Sequence, residues 1–336
     1  CFISIWGCRD KYMPGLKEGD VLNVLVVEGA IWPEGDTKIT LSNVLGINEP
    51  TRNSYINNAT VILENENGLL LGTLNNSTNG NYILSNTPKA EKYSLRIKTS
   101  AGDEYLSEPI LPLETPIIDS LTWRQNADGV KIYVSTKDQS NNVQYYKWNY
   151  TETWEYNSVF YSTVEYNSLT NRVDDRDMLN NNIYTCWRNI YSSNILIGSS
   201  TKISDNAIYD RELISIPNND DKLLVRYSVL VNQIGLSKNA YAFYELLKKN
   251  TEEIGSIFGN QPSEIGSNMK CINNPEKKVV GYVLAGSIVS KRIFISNAEL
   301  NNWWKPKFCV KDTVPNNSES LVNFFASKAK SPFEKV

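Results

Sequence analysis

The chain has 336 residues, which is long enough for two domains that each bury their own core. Its formal net charge of −3 gives no reason to expect a nucleic acid as a partner. The sequence contains no histidine, the residue that Ser-His-Asp triads, Cys-His nucleophiles and most zinc sites require. We therefore expect a protein that is not an enzyme and that carries neither a metal ion nor another cofactor. No apolar run approaches the roughly 18 residues of a membrane-spanning helix.

The first residues predict a lipid anchor. The chain begins with Cys1, as a mature bacterial lipoprotein does when its signal peptide has been cut just before the acylated cysteine. Acyl chains hold a protein to a membrane at about 0.8 kcal/mol per buried methylene. We predict Cys1 as the attachment site and residues 1–20 as anchor and tether. Cys8 is the alternative, because the tripeptide Ile-Trp-Gly before it resembles a lipobox.

Residues 21–112 read as a β-sandwich. Short alternating runs of apolar and polar residues recur every 8–12 residues or so, as in immunoglobulin-like domains. The pairs Asn67-Gly68 and Asn79-Gly80 are typical of tight hairpin turns between such strands. We predict an immunoglobulin-like sandwich here.

A cluster of prolines at Pro109, Pro112 and Pro116 marks a domain boundary, since proline interrupts strand pairing. Residues 113–310 are predicted to form a second, larger sandwich. Within it, residues 143–166 alternate with the period of a strand. One face of this stretch is aromatic, and its members are Tyr146, Trp148, Tyr150, Trp154, Tyr156 and Phe160.

Two interpretations of the aromatic face remain open. The face packs against a second sheet as core, which we favour because so apolar a face is rarely left in water. Alternatively it is an exposed platform that binds a glycan or a peptide. The candidate binding residues are Tyr146, Trp148, Tyr150 and Trp154.

One segment departs from the strand period. After Ser237, a suitable N-cap, apolar residues recur at helical spacing as far as Gly255, which stops a helix. We predict an amphipathic helix near 238–254 that covers an edge of the second sandwich. Residues 311–336 are polar and predict a loosely attached tail.

The remaining cysteines and two short motifs give further candidates. Cys271 and Cys309 enclose a strand region, and a disulfide there stabilises by about 3–4 kcal/mol in the chain-entropy model. The alternative is two buried free thiols. Ser120 and Thr313 each follow an aspartate and precede an apolar residue, a motif that some bacterial enzymes O-glycosylate after export. A carboxylate pair formed by Glu152 and Glu155 is the remaining catalytic candidate.

Several segments, taken in order, resemble a family of Bacteroidota outer-membrane lipoproteins that is known only as domain of unknown function forty-two forty-nine. They include VLVVEGAI, YYKWNYTETWE, YTCWRN, SKNAYAFYELLKKN and KKVVGYVLAGSIVSKRIFI, within residues 21–309. The resemblance implies a lipid-anchored protein on the extracellular face of the outer membrane, usually encoded beside a TonB-dependent receptor of the starch-utilisation type. It transfers no catalytic residue to this chain.

These observations give three hypotheses. The first is an accessory subunit of a TonB-dependent receptor or related β-barrel complex, which assists substrate capture or gating. The second is a free-standing lipoprotein that binds a glycan or a peptide. The third is a hydrolase built on Glu152 and Glu155.

Overall fold

A computed structural model describes residues 24–44, 54–158, 160–201, 205–252, 265–303, 313–315 and 317–325. The predicted lipid sites Cys1 and Cys8 lie outside these residues, as does Cys309. Cys271 is buried, and its Sγ lies 3.3 Å from Asn273 Oδ1. Because Cys309 is not described, its disulfide with Cys271 stays a prediction.

The chain forms two compact units that are built mostly from strands, which confirms the predicted β-sandwich class with one amphipathic helix. The units are discontinuous in sequence. Unit 1 consists of Cys1–Thr115, Ser140–Lys147 and Ile234–Ile288, and unit 2 of Pro116–Gln139, Trp148–Gln233 and Val289–Val336.

Unit 1 contains two packed layers that are joined by one strand. The strands are β1 Leu25–Ile31, β2 Thr37–Asn43, β3 Ser54–Tyr55, β4 Thr60–Asn65, β5 Leu70–Asn76, β6 Asn81–Leu84, β7 Tyr93–Lys98 and β8 Glu104–Ser107. Strand β5 pairs first with β4 and then, at its end, with β6. It therefore passes from one layer to the other, as strands do at the corners of sandwiches.

The core of unit 1 lies between these layers, where alternate residues of each strand are buried. Val27, Leu63 and Leu95 are completely buried. The predicted hairpin turns are present, with Gly68 and Gly80 at positive φ angles of 77° and 69°. A side chain at Gly80 would also collide with the carbonyl oxygen of Leu41, so this turn requires glycine.

Residues from far along the sequence complete unit 1. Three short strands follow the helix: β18 Met269–Cys271 pairs with β8, while β19 Val279–Val280 and β20 Leu284–Ala285 run parallel to β1. The predicted boundary, which assigned all of 113–310 to the second domain, is corrected by this pairing. The backbone N–H of Glu104 donates to Asn273 Oδ1, across a sequence separation of 169 residues. Local sequence patterns cannot reveal that a strand joins a sheet formed so much earlier in the chain.

The predicted helix is also part of unit 1. Helix α1, Lys238–Glu252, begins after Ser237, whose Oγ accepts a hydrogen bond from the backbone N–H of Ala240. Its aromatic residues pack against the neighbouring strands of this unit. Tyr241 lies 4.9 Å from Tyr145 between ring centroids, and the amine of Lys147 lies 4.1 Å from the ring centroid of Tyr244. Burial lowers the pKa of Lys147.

Unit 2 contains a three-stranded and a five-stranded sheet that enclose a second core. The strands of the first sheet are β9 Ile118–Asn126, β10 Gly129–Lys137 and β16 Ala207–Pro217. The strands of the second are β11 Tyr145–Asn157, β14 Thr185–Tyr191, β15 Leu196–Ser199, β17 Arg226–Leu236 and β21 Ile288–Ser296. Of these strands, residues 145–147 of β11, 234–236 of β17 and 288 of β21 are counted in unit 1. A small hairpin consists of β12 Val164–Asn167 and β13 Arg172–Asp175.

The predicted loose tail contains a short helix that the sequence analysis missed. Helix α2, Ser318–Phe325, is capped by Asn317, whose Oδ1 accepts from the backbone N–H of Ser320. Leu321 and Phe325 are buried, and the Phe325 ring stacks on Tyr166 at 5.0 Å. Their i, i+4 spacing was the available signal. No helix among the described residues is long and apolar enough to span a membrane.

Candidate binding surface

Strand β11 places its predicted binding aromatics in the core of the protein. Tyr146, Trp148 and Trp154 are at most 2% exposed, and Tyr150 is half-buried. A ring without exposed surface cannot contact a ligand in solution. The platform interpretation is therefore corrected for Tyr146, Trp148 and Trp154, which belong to the core that we favoured, and it stays a prediction for Tyr150.

The position of Trp148 explains why this face is so well packed. Its Nε1 donates to Gln233 Oε1 at 2.8 Å, so the indole N–H is satisfied although it is buried. The ring also lies against Gly198, where an added Cβ would approach it to 2.8 Å. A larger residue at position 198 would therefore displace the indole.

Glu152 lies on the same buried face, between the aromatic residues. Both of its carboxylate oxygens accept from Lys222 Nζ, at 3.0 and 3.1 Å, and Oε1 also accepts from the Tyr227 hydroxyl at 2.8 Å. The Lys222 amine lies 5.4 Å from the Trp154 ring centroid. Burial, together with the neighbouring Glu152 carboxylate, raises the pKa of Tyr227 far above its usual range.

The carboxylate pair proposed from the sequence is not formed. Glu152 faces the core, whereas Glu155 pairs in register with Trp187 on the opposite face of the sheet. Successive residues of a strand alternate between faces, so an odd separation places the two carboxylates on different sides. They cannot flank one glycosidic bond, and the hydrolase hypothesis loses its only candidate pair.

The solvent side of the five-stranded sheet carries a different set of aromatic residues. Strand β14 pairs antiparallel with β11, which places Trp187, Asn189 and Tyr191 beside Glu155, Thr153 and Thr151 respectively. Trp187 is 57% exposed and Tyr191 is 75% exposed. Two large rings thus stand in water on one strand, roughly 13 Å apart at the usual rise per residue.

Polar side chains continue this face across the neighbouring strands. Asn232 of β17 donates to Asn149 Oδ1 at 2.9 Å and accepts from the Ser290 hydroxyl of β21 at 2.6 Å. At the far edge, the Phe294 ring is 52% exposed and lies 4.9 Å below the Arg226 guanidinium. We call this side of the sheet the outer face. Its main residues are Asn149, Thr151, Thr153, Glu155, Trp187, Asn189, Tyr191, Asn232, Ser290, Arg292 and Phe294.

Hydrogen bonds between these side chains hold the outer face in one arrangement. The Arg292 guanidinium donates to Ser228 Oγ at 2.6 Å, in addition to the amide and hydroxyl contacts across β11, β17 and β21. A face whose polar groups are already oriented loses less conformational entropy when it binds a partner. Tyr, Trp and Arg are the residues enriched at binding surfaces, and all three are exposed on this face.

Comparison with known proteins identifies the family. A family model described as domain of unknown function (DUF4249) matches residues 9–292, which is more than half of the chain. The chain belongs to the DUF4249 family. No curated protein matches its sequence.

Two solved structures show low similarity to this DUF4249 protein. A Salmonella alpha-2-macroglobulin mutant is 10% identical over 67% of this chain and 15% of its own, with a TM-score of 0.19. A structure of manganese lipoxygenase of Gaeumannomyces graminis with part of zonadhesin of Komagataella pastoris is 8% identical. It covers 66% of this chain and 91% of its own, with a TM-score of 0.16. This chain spans less than a sixth of the macroglobulin.

The two remaining sequence candidates of this DUF4249 protein lie in the three-stranded sheet and in the C-terminal segment. Ser120 is half-buried within β9, and Thr313 is exposed before α2. Among the described ranges, no three Cys, Asp or Glu side chains are grouped so that they could hold a metal ion. The predicted O-glycosylation of Ser120 and Thr313 stays a prediction.

Trp187 and Tyr191 are the binding candidates that the sequence analysis missed. The segment YTCWRNIY alternates aromatic and polar residues like the stretch before it, so the signal was present. Alternation alone does not say which of two aromatic strands turns its rings to the core. The difference arises from the register, since Trp187 and Tyr191 pair with Glu155 and Thr151 and therefore lie on the face of the sheet opposite to the buried rings of β11.

Proposed function

We propose that this DUF4249 protein is a lipid-anchored binding subunit of an outer-membrane β-barrel complex, in the manner of a TonB-dependent receptor with an accessory lipoprotein. It acts by contact and not by catalysis, and it assists capture or gating of the substrate from the extracellular side. The observation that carries the proposal is the outer face, where Trp187 and Tyr191 stand exposed on a sheet of pre-oriented polar groups. The location is part of the proposal and rests on the resemblance of the chain to outer-membrane lipoproteins.

The physical argument concerns desolvation. Removing an exposed indole or phenol from water on binding contributes about 25 cal/mol per Å² of apolar surface, and such anchors dominate the energy of interfaces. Trp187 and Tyr191 are also held on a regular strand, so little additional order is needed on binding. A protein partner of the barrel type would bury these rings at the centre of its contact.

The test is copurification from membranes. The tagged full-length protein is extracted in mild detergent, and the retained proteins are identified and quantified by mass spectrometry. We expect one β-barrel protein at a fixed ratio, and we expect the double variant Trp187→Ala/Tyr191→Ala to reduce its recovery at least tenfold. Tyr209→Ala is the matched control, because Tyr209 is 60% exposed on β16 of the other sheet. Recovery of the lipoprotein alone, or equal loss in both variants, would contradict the proposal.

A second candidate function is the binding of a glycan by the free-standing lipoprotein. The two rings with Asn189 between them favour it, because sugars stack their apolar faces on aromatic rings and hydrogen-bond to amides and hydroxyls beside them. Affinity electrophoresis in gels that contain soluble polysaccharides distinguishes it. Retardation that Trp187→Ala abolishes and Tyr209→Ala preserves would support glycan binding without a barrel. Binding of a peptide instead would show as saturable quenching of tryptophan fluorescence by peptides alone.

A further inference from the structure

Strand β14 forms an open edge of the five-stranded sheet. Within the described part of the chain its neighbour is β11 alone, and the register runs without a shift from Thr185 to Tyr191. All five residues 187–191 are exposed. The edge is therefore long, regular and accessible.

The backbone of β14 has hydrogen-bonding groups that point away from β11. In an antiparallel pair, only every second residue exchanges hydrogen bonds with its neighbour. The backbone N–H of Ser158 donates to the carbonyl of Tyr184 at 2.8 Å, which assigns the even-numbered residues of β14 to the ladder with β11. The N–H and C=O groups of Trp187, Asn189 and Tyr191 consequently face the free edge.

This edge lacks the features that normally prevent strands from pairing with other molecules. Natural edges are protected by lysine, proline, bulges or inward charges. Strand β14 contains no lysine or proline, and its only charge is Arg188. By contrast, the β16 edge of the other sheet is irregular where it pairs with β10, and it carries the three consecutive charged residues Asp210, Arg211 and Glu212.

We propose that β14 pairs antiparallel with β14 of a second copy of this chain, about a two-fold axis at Asn189. This inference does not depend on the proposed barrel partner. In this register Trp187 of each copy lies opposite Tyr191 of the other, and Arg188 lies opposite Ile190. The outward backbone groups of the three odd-numbered residues then form about six hydrogen bonds.

The chemistry of the pairs selects this register. Centring the axis on Arg188 would place two guanidinium groups directly opposite each other, and like charges in that position are destabilising. Placing the two-fold axis at Ile190 would leave about half of the residue pairs without a partner residue in β14, because the strand ends at Tyr191. Of these three registers, only the one centred on Asn189 places aromatic residues opposite each other, and aromatic cross-strand pairs are favourable.

The dimer would be weak, and it would enlarge the outer face. A ladder of five residues buries less than the about 800 Å² per partner that is usual for stable interfaces, so the dimer forms in a concentration-dependent manner. A two-fold axis perpendicular to the sheet leaves both outer faces on the same side. The two copies together would present four adjacent rings, which is a more extended surface than one copy offers.

Sedimentation velocity of the purified full chain over a wide concentration range tests the proposal. We expect a reversible monomer–dimer equilibrium, with the dissociation constant raised about tenfold or more by Asn189→Pro, since proline removes the central outward N–H donor. The same change spares the ladder with β11, because proline is tolerated at edge positions that face solvent. Asn189→Ala is the matched control, and it should dimerise as the wild type does.

A crosslink gives a second measurement that does not require Asn189→Pro to fold. Paired residues at the centre of the ladder have Cα atoms about 5.5 Å apart, which suits a disulfide. Asn189→Cys should therefore give a dimer linked through the two substituted positions under mild oxidation, identified by peptide mass spectrometry. Leu179→Cys, at a residue that is 94% exposed, should not. The proposal would be overturned if the protein were a monomer at every concentration. It would also be overturned if Asn189→Pro did not weaken the dimer and Asn189→Cys did not crosslink it.

Discussion

Glu152 is a carboxylate held in the core of unit 2, where its charge depends on two neighbours. Lys222 and Tyr227 satisfy it with three hydrogen bonds, and the Glu152 side chain is only 5% exposed. Burying a charge is unfavourable unless it is paired and hydrogen-bonded. This ion pair therefore does not by itself make the domain stable, but each partner prevents a large loss that would follow from the removal of the other.

We expect Lys222→Met to reduce the free energy of unfolding by about 3–5 kcal/mol, because it leaves a buried carboxylate without its cation. Adding Glu152→Gln should recover part of this loss, since the amide still accepts from Tyr227 and is uncharged. Denaturant unfolding measures both variants.

The control for this ion pair is Lys131→Met, which breaks a pair with Glu212. That pair is on the surface, with side-chain exposures of 30% and 43%, and should contribute at most about 1 kcal/mol. Equal effects of Lys222→Met and Lys131→Met would show that Glu152 is solvated and that the cluster is not a buried one.

A buried phenol, that of Tyr105, makes unit 1 lose stability at alkaline pH. Burial raises the pKa of Tyr105 from 10.0 to about 12. Its ionisation is thus easier in the unfolded chain than in the folded one, so the stabilisation is complete below pH 10 and is lost as the pH rises from 10 towards 12. Tyr105→Phe should flatten the decline of the urea midpoint between pH 9.5 and about 11.5. Tyr55→Phe, which changes an exposed tyrosine of the same unit, is the matched control.

At the scale of single elements, the sequence predicts what depends on near neighbours. The hairpin turns at Gly68 and Gly80, the Ser237 cap of α1 and the buried face of β11 all follow from turn chemistry, capping and alternation. Glycine at these turns is required by the backbone, so a local pattern is sufficient to find them. Such features can be read without knowing the rest of the fold.

Elements whose role depends on distant partners could not be assigned in this way. The stretches that carry the exposed rings of β14 and the buried rings of β11 have similar sequences, and only the register between the two strands places the rings on opposite faces of the sheet. Helix α2 was missed because its apolar stripe is short and lies in a polar context. The predicted aromatic residues therefore lie on β11, whereas the exposed rings lie on its neighbour β14.

At the scale of the whole molecule, the chain alternates between its two units. Six successive segments belong in turn to unit 1 and unit 2. The Pro-rich segment near Pro112 is thus a crossing point and not the end of a domain. The core of unit 1 includes Met269, Cys271 and Val283 together with residues of its first 115 positions. Neither unit is complete until most of the chain has been synthesised.

This arrangement predicts how fragments behave. A fragment of residues 1–115 lacks β18, β19 and β20, so it exposes buried residues such as Val27 and Ile31 and leaves β1 and β8 as open edges. We expect it to show no cooperative unfolding transition. Joining residues 1–115 to 234–288 through a short Gly/Ser linker should restore one. The join is short because the backbone N–H of Gly235 donates to Thr115 Oγ1 at 2.9 Å.

Circular dichroism during thermal unfolding distinguishes the two fragments. The linked fragment should unfold cooperatively, somewhat below the full chain because it lacks Ser140–Lys147, whose Val143 packs against Gly235. The matched control joins 1–115 to the same segment with its residues in scrambled order, which keeps length and composition but removes the strands. Residues 1–115 alone could instead unfold cooperatively with the same midpoint as the linked fragment. That result would show that the first domain is complete without β18, β19 and β20.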